Sequence, residues 1–392
     1  MIAFDSAVGV DVGKSAHHAV MLDRATGEVL IDRPVANEPG EIGALLSEAR
    51  SLRPGCIVVA DQAGPAAALL RRMSLGAGME SRFITPRAMA AAIDMDGGDD
   101  KTDRSDALRI AEVACGMPRK LKPLVERDPE LSALLGYDAY LRDEQHAAAC
   151  RVRELLLAMC PAMERLVGRP TTAFALQVLS RWGGPASLRA AGRDGAASEL
   201  LAVKGMGPGA VARLDAVIAS IEGAPGDPAS ERVVRAHAAR LAQIVAERRE
   251  LSAELGSLLA ASPEAAILMS VPGVGPVTAA TFLCEVGDAS SFPSSSKLAS
   301  YCGLRPRVRQ SGGSKSTSAA RGGDRRLKRV MFLAANAARM SGAESAAYYA
   351  RKRAEGKCHY AALAALARRM INVMWALLRD GRAYEDRSPE AA

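Results

Sequence analysis

The chain has 392 residues, 49% of them hydrophobic and 24% charged, with a formal net charge of +7 and a mean hydropathy of +0.02. That length allows two or three domains with sizeable cores, and no uninterrupted apolar run reaches the roughly 18 to 20 residues of a membrane span, so no membrane association is expected. The seven cysteines form no CxxC pair, which argues against a zinc ribbon or a disulfide framework, while the basic balance with only 4% aromatic residues favours a polyanion held by its phosphates.

The first fourteen residues carry no secretory signal pattern, and the cytoplasm is the expected compartment. Ala7-Val8-Gly9-Val10-Asp11-Val12-Gly13-Lys14 reads as a buried strand ending in an acid and a glycine turn. Residues 18–22 and 29–35 read as two further strands joined at Thr26-Gly27, giving a three-strand meander. A helix is predicted over 41–52, and a second buried apolar strand over 56–60 ends at Asp61. A helix over 65–75, a strand over 81–84 and a short helix over 86–93 complete an α/β layer, a class that places ligands at strand ends.

Next comes Lys101-Thr102-Asp103-Arg104-Ser105-Asp106-Ala107, after the polar run Asp96-Gly97-Gly98-Asp99-Asp100. Thr102 or Asp103 is expected to cap a helix whose first turn carries Asp103 and Asp106 on one side. Two readings of those acids stay open: a capping device suited to the helix dipole, or a pair aimed at one target.

Residues 128–166 and 230–261 are helical and charged, and are expected to pair either as an antiparallel coiled coil with Leu251, Leu255, Leu258 and Leu259 on one seam, or as two packed helices. Between them lies a Pro/Gly-rich region, 168–227, with shorter helices. Lys204-Gly205-Met206-Gly207-Pro208 and Pro272-Gly273-Val274-Gly275-Pro276 each precede a helical run, and the second resembles a helix-hairpin-helix DNA-backbone motif through Gly273 and Gly275. The competing reading is a plain connection between helices.

A basic stretch follows from Arg305 through Arg307, Arg309, Gln310, Ser311, Gly312, Gly313 and Lys315 to Arg321, Arg325, Arg326, Lys328 and Arg329, with Asp324 its one acid. Ser311 is expected on a glycine-flanked loop, where a hydroxyl can reach a phosphate neutralised by Arg and Lys; a solvated basic linker is the alternative. Helices are predicted over 330–339 and 360–378.

Asp11, Asp61, Asp103 and Asp106 together would repel unless a divalent metal balanced them, and Mg²⁺ (or Mn²⁺) takes carboxylate oxygens along with substrate phosphates. Metal-dependent phosphoryl transfer fits these residues. The five histidines show no metal spacing, and of His17 and His18, on a predicted strand, one is expected to be exposed and of no consequence.

An acid ending strand one, an acid after strand four, K-T-D-x-x-D-A, then P-G-V-G-P and G-L-x-P-x-x-x-Q-S-G-G in that order resemble the DEDD transposases of bridge-RNA-guided insertion sequences, relatives of the pilin-gene invertases. The resemblance implies an α/β RNase H-like (RuvC-like) catalytic domain over 1–125, a helical or coiled-coil region with a Pro/Gly-rich insertion over 126–262, and a mainly α transposase domain over 263–392. It implies Asp11, Asp61, Asp103 and Asp106 as the metal-binding set and Ser311 as the nucleophile, with Ser314, Ser316 and Ser318 as alternatives. Asp61 stands where glutamate is common in such relatives, one methylene shorter. The implied partners are donor and target DNA, a noncoding bridge RNA, and further copies of the chain as a dimer or tetramer in the synaptic complex. Two other readings are a RuvC-like nuclease or junction resolvase that uses water, and a non-catalytic domesticated nucleic-acid-binding protein. A sugar kinase or actin-like ATPase would need a second phosphate loop, which is not found.

Overall fold

The structure, a computed structural model, describes residues 4–62, 64–85, 88–90, 102–123, 128–311, 314–318 and 322–385. Two compact units divide the chain, Met1–Glu126 and Arg127–Ala392.

In the first unit, strands β1 (Ser6–Asp11), β2 (Ala16–Asp23), β3 (Val29–Ala36), β4 (Cys56–Ala60), β5 (Ser81–Phe83) and β6 (Lys122–Pro123) form one mixed sheet in the order β3-β2-β1-β4-β5-β6. The first three are an antiparallel meander, β1, β4 and β5 are parallel neighbours, and β6 is antiparallel to β5. Continuous apolar runs in β1 and β4 suit strands covered on both faces. One face packs Val8, Val10, Met21 and Val58 against helices α1 (Pro39–Leu52) and α2 (Ala68–Gly76). The other face packs Ala7, Ile57, Val59, Val20 and Leu22 against helix α3 (Asp103–Gly116). Residues 88–90 of the helix expected over 86–93 are helical; the remainder of that segment, and the polar run through Lys101, lie outside the described residues.

The β2–β3 turn is held by Asp23, whose Oδ1 accepts the N–H groups of Ala25 (2.9 Å) and Thr26 (3.0 Å) while Arg53 Nε donates to Oδ2 at 2.8 Å. The Thr26 amide, then Arg53, draw the carboxyl from its usual 3.8 down to about 2. A lowered folded-state pKa contributes stability that is complete above the unfolded value and fades as pH falls through the folded one. Asp23→Asn is therefore expected to lower stability near neutral pH, with the gap to the wild type narrowing between about pH 4 and pH 2 in urea melts.

The second unit opens with helix α4 (Pro129–Met159), capped by Asp128, then α5 (Pro161–Val167), α6 (Ala173–Arg181), α7 (Pro185–Ala191), α8 (Arg193–Leu201) and α9 (Pro208–Ser220). Helix α10 (Pro228–Leu258), capped by Asp227, returns antiparallel to α4. Arg240 donates to Glu144 at 2.8 and 2.9 Å, Arg248 to Asp138 at 2.9 Å, and Tyr137 to Glu247 at 2.9 Å, all across the pair. The pair feeds two separate cores. Val152, Leu156, Val234, Ala238 and Leu241 join a core with α5 to α9, whereas Leu135, Leu251 and Leu255 join a second one. Of the seam expected on α10, Leu251 and Leu255 are buried, Leu259 is buried in the short turn beyond the helix, and Leu258 is exposed. The corrected seam is shorter because the second core, not a run of heptads, decides which side of that end faces inward.

That second core is completed by α11 (Pro263–Met269), α12 (Pro276–Val286), α13 (Ser295–Tyr301), α14 (Arg325–Ser341), α15 (Ala343–Ala354) and α16 (His359–Asp380). Contrary to the expectation that no segment is long and apolar enough for a membrane span, α16 meets that test by length and composition. Arg368 and Arg369 interrupt its apolar run in sequence, yet Leu363, Leu366, Met370, Ile371 and Met374 pack into the core.

Candidate active site

Parallel pairing of β1 with β4 sets Val10 beside Ala60, so the next residues out, Asp11 and Asp61, emerge side by side at the carboxyl ends of two adjacent strands. A reciprocal clasp fixes this end. The Val12 N–H donates to Asp61 Oδ1 at 3.1 Å, and Gln62 Nε2 donates to the Val12 carbonyl at 2.9 Å. Across β2, Asp11 lies opposite His18.

Helix α3 supplies the other two acids. Its cap is Thr102, whose hydroxyl accepts the Ser105 N–H at 3.1 Å while Ser105 Oγ accepts the Thr102 N–H at 2.9 Å. Because this Thr–Ser pair satisfies the helix start, neither Asp103 nor Asp106 is the cap, although both suit the positive end of the dipole. Arg104 Nε donates to Asp32 Oδ2 at 2.6 Å, and Asp32 Oδ1 meets His18 Nε2 at 2.9 Å, a chain that ties the first turn of α3 to β2 and β3.

The approach of α3 is set by Gly9. A Cβ there would stand 2.3 Å from the Ala107 carbonyl oxygen and 2.5 Å from the Ala111 nitrogen. Helix and strand therefore cross at backbone contact, one turn beyond Asp103.

This crossing puts the negative charge of Asp106 within influence of Asp61. Burial pushes the Asp61 carboxyl up, the Val12 amide opposes that, and Asp106 adds to the rise. Asp106 in turn lies 3.3 Å from the guanidinium of Arg109, a residue only 9% exposed. Asp103, a turn earlier, is exposed. The resemblance implies all four acids as one metal-binding set; among the described residues no three His, Cys, Asp or Glu groups stand as a ready-made metal cluster. Arg109 holds Asp106, and repulsion between like charges opposes closer approach. The donor set is all carboxylate, with one member desolvated beside a second negative charge, which is what a hard divalent cation would stabilise.

Two features went unread in the sequence. Arg109 looks like an ordinary helix-surface cation until the helix is seen against the sheet. His17 is the buried one of the two strand histidines, 3% exposed; both its ring nitrogens and Asn37 Oδ1 are buried with no hydrogen bond of ordinary geometry. No sequence signal separated the two, since β2 is buried on both faces; the fold turns His17 inward while His18 meets Asp32.

Residues 8–161 match a family model of the DEDD type for IS110, described as a transposase, and residues 265–350 match the Transposase IS116/IS110/IS902 family. The insertion element IS110 uncharacterized 43.6 kDa protein of Streptomyces coelicolor is 38% identical over 392 residues, spanning 97% of this chain and 96% of its own length. The chain belongs to the IS110/IS116 family of transposases. The insertion element IS116 uncharacterized 44.8 kDa protein of Streptomyces clavuligerus is 32% identical over 97% of this transposase and 96% of its own length. The pilin gene-inverting protein of Moraxella bovis is 31% identical over 36% of this chain and 46% of its own. Among solved structures, T. thermophilus RuvC in complex with Holliday junction substrate aligns with 30% of this chain and 99% of its own, at 17% identity and a TM-score of 0.25.

The 265–350 match of this IS110/IS116-family member contains the expected serine segment. Where an irregular loop is expected, strands β7 (Arg307–Ser311) and β8 (Ser314–Ser318) form an antiparallel hairpin, with Arg307 opposite Ser318, Arg309 opposite Ser316, Gln310 opposite Lys315 and Ser311 opposite Ser314. Paired backbone, not side-chain propensity, makes these polar residues strand. The hairpin closes at a neck of glycines. A Cβ on Gly303 would lie 2.4 Å from the Gly322 oxygen, one on Gly323 would lie 2.4 Å from Gly303 Cα, and all three glycines have positive φ. The Asp324 N–H donates to the Tyr301 carbonyl at 2.8 Å, and the Asp324 side chain caps α14.

Of the other residues expected to meet nucleic acid, Arg305, Arg325 and Arg326 are exposed, but Arg326 pairs with the buried Glu285 at 3.4 Å and Arg329 with Asp143 at 3.7 Å. Arg321, Gly312 and Gly313 lie outside the described residues. Gly273 has a packing reason of its own, since a Cβ there would meet the Ala334 oxygen of α14 at 2.4 Å. Gly275, by contrast, caps α12 with open space around it.

Proposed function

We propose that this transposase cuts and exchanges DNA strands through a covalent link to Ser311, using the carboxylates of an RNase H-like first domain and a noncoding bridge RNA to choose its sites. The observation that supports this most directly is Asp11 and Asp61 side by side at adjoining strand ends, with Asp106 on the first turn of α3 near enough to raise the Asp61 carboxyl, in a member of a transposase family. The strand order β3-β2-β1-β4-β5 with an antiparallel meander suits the RNase H-like assignment. Asp11, Asp61, Asp103 and Asp106 would hold Mg²⁺ or Mn²⁺ by drawing closer together than they stand here. A bound divalent ion would supply Lewis acidity toward a phosphate oxygen and balance the clustered negative charge.

In the proposed reaction the Ser311 Oγ–H bond breaks as Oγ attacks phosphorus. A P–Oγ bond forms, the phosphodiester bond to one sugar oxygen breaks, and that oxygen takes up a proton. Attack by a strand-end hydroxyl on the serine phosphodiester then restores the hydroxyl and joins new partners, with no net hydrolysis. Helix α3 contributes by positioning: Arg104, through Asp32, fixes its first turn and Arg109 restrains Asp106. The low aromatic content agrees with an RNA partner reading sequence while the protein contacts backbone. An assembly of two or four copies would synapse donor and target.

The reading is tested by mixing the protein with its copurifying RNA, labelled cognate ends and Mg²⁺, then denaturing. A labelled protein–DNA species, absent with chelator and reduced at least about 100-fold in Asp61→Asn, is expected, since even outer-shell changes at metal sites cost 10–100-fold. Cleavage without any covalent species would instead favour the junction nuclease that uses water.

A further inference from the structure

Between α15, α16 and the foot of the β7–β8 hairpin lies a groove of about 850 Å³, reached by Leu304, Pro306 and Ser318 from the hairpin side. Its floor is the small-residue face of α16, Ala361, Ala364 and Ala365, which leaves room for a backbone to lie close. Lys352, Lys357, Arg368 and Arg369 line it.

The ion pairs show which of these charges are already committed. Glu355 accepts from Lys352 at 2.7 Å and from Lys357 at 2.8 Å, and Glu344 pairs with Arg369. Three of the four cations thus share two carboxylates. Arg368, half-buried in the wall, has no ion pair or hydrogen bond among the described residues. Asn372 lies one helical turn further along the same wall and offers an amide beside it. The ring of Tyr348 is covered by Arg369 at 4.9 Å, Arg351 at 5.1 Å and Lys352 at 5.4 Å. A surplus of cations around a floor of small alanine side chains fits a phosphodiester backbone, whose phosphates the cations can pair while the chain lies close to the helix.

We infer that this groove seats the phosphates of the DNA strand adjoining the one joined to the hairpin serine, with Arg368 as the contact to a phosphate; this rests on the serine reading given above. Geometry sets the reach. Ser318 lines the groove, and four residues of strand separate it from Ser314, the pairing partner of Ser311. At ~3.4 Å per residue that is about 14 Å, or about four nucleotides of duplex rise. The groove therefore meets phosphates within the first few nucleotides of the linkage.

The test uses the full-length protein with its copurifying RNA and cognate DNA ends. Arg368→Ala is expected to weaken DNA binding about tenfold and to lower the slope of log K against log salt by about 1, the signature of one lost phosphate contact, with Arg368→Lys restoring most of the slope. Asn372→Asp, an exposed change that leaves the core alone, is expected to weaken binding in the same direction. A neutral methylphosphonate at one of the first four phosphates should weaken the wild type but not Arg368→Ala. An unchanged slope in Arg368→Ala, or interference that persists unaltered in that variant, would overturn the proposal. So would a slope change seen with the RNA alone and not with DNA, because the groove would then serve the RNA. Binding needs no chemistry, so a missing covalent adduct in the wild type would count against the serine reading and leave the groove to be judged by slope and interference.

Discussion

Ser311→Ala is expected to eliminate the covalent protein–DNA species, a fall of at least ~10³-fold, because nucleophile deletions in other enzymes reach about 10⁶. The substitution removes one oxygen from the last strand residue before the hairpin tip and takes no partner from the ladder, whose register rests on backbone pairing. DNA binding and the melting temperature should therefore stay near wild type while the adduct disappears. Ser314 is the rival, since it is the residue directly opposite. Peptide mapping of the wild-type adduct separates the two, and an adduct that survives in Ser311→Ala and maps to Ser314 would move the nucleophile across the hairpin.

Gly9→Val is expected to remove cleavage and to destabilise the first unit by about 1–3 kcal/mol or more, the range for overpacked interiors. The flexible end of a side chain could yield, but here the obstacles are the Ala107 carbonyl and the Ala111 nitrogen, both backbone atoms of α3. Relief requires the helix to lift from β1, and that movement carries Asp106 away from Asp61 and strains the Arg104–Asp32 tie. Gly9→Ala meets the same atoms and should show a smaller version of both effects. Gly40→Ala is the control: it is helical, exposed and has nothing within 4 Å of the new carbon, so it should be neutral or raise stability by about 0.4–1 kcal/mol. Urea unfolding alongside the cleavage assay distinguishes a displaced helix from a globally unfolded chain. A Gly9→Val protein that melts and cleaves like the wild type would show that α3 has another way to sit.

The strand-end acids were legible because β1 and β4 are continuous apolar runs, and the residue that ends such a run has few places to go. A cap at Thr102 or Asp103 was readable from their position before an apolar period, but the choice of Thr102 and the reciprocal role of Ser105 needed coordinates, since glutamate or glutamine is the usual sign at that place. The hairpin was not legible. Serine, glycine and lysine have low strand propensity, and what holds Arg307–Ser311 against Ser314–Ser318 is a neck made by Gly303, Gly322 and Gly323, close in space and twenty residues apart in sequence. Leu258 misled for a similar reason: heptad spacing places it on the seam, and the neighbouring helices decide otherwise.

Local pattern was enough to specify the α/β character of the first unit, the helical character of the second and the places of Asp11 and Asp61 at strand ends, since periodicity acts over a few residues. Which acids meet was a matter of the folded chain. Asp61 feels Asp106 because Gly9 lets a helix about a hundred residues downstream cross β1 without an intervening side chain, and on that helix Arg109 pairs with Asp106. No spacing rule spans that distance; close backbone approach in three dimensions does.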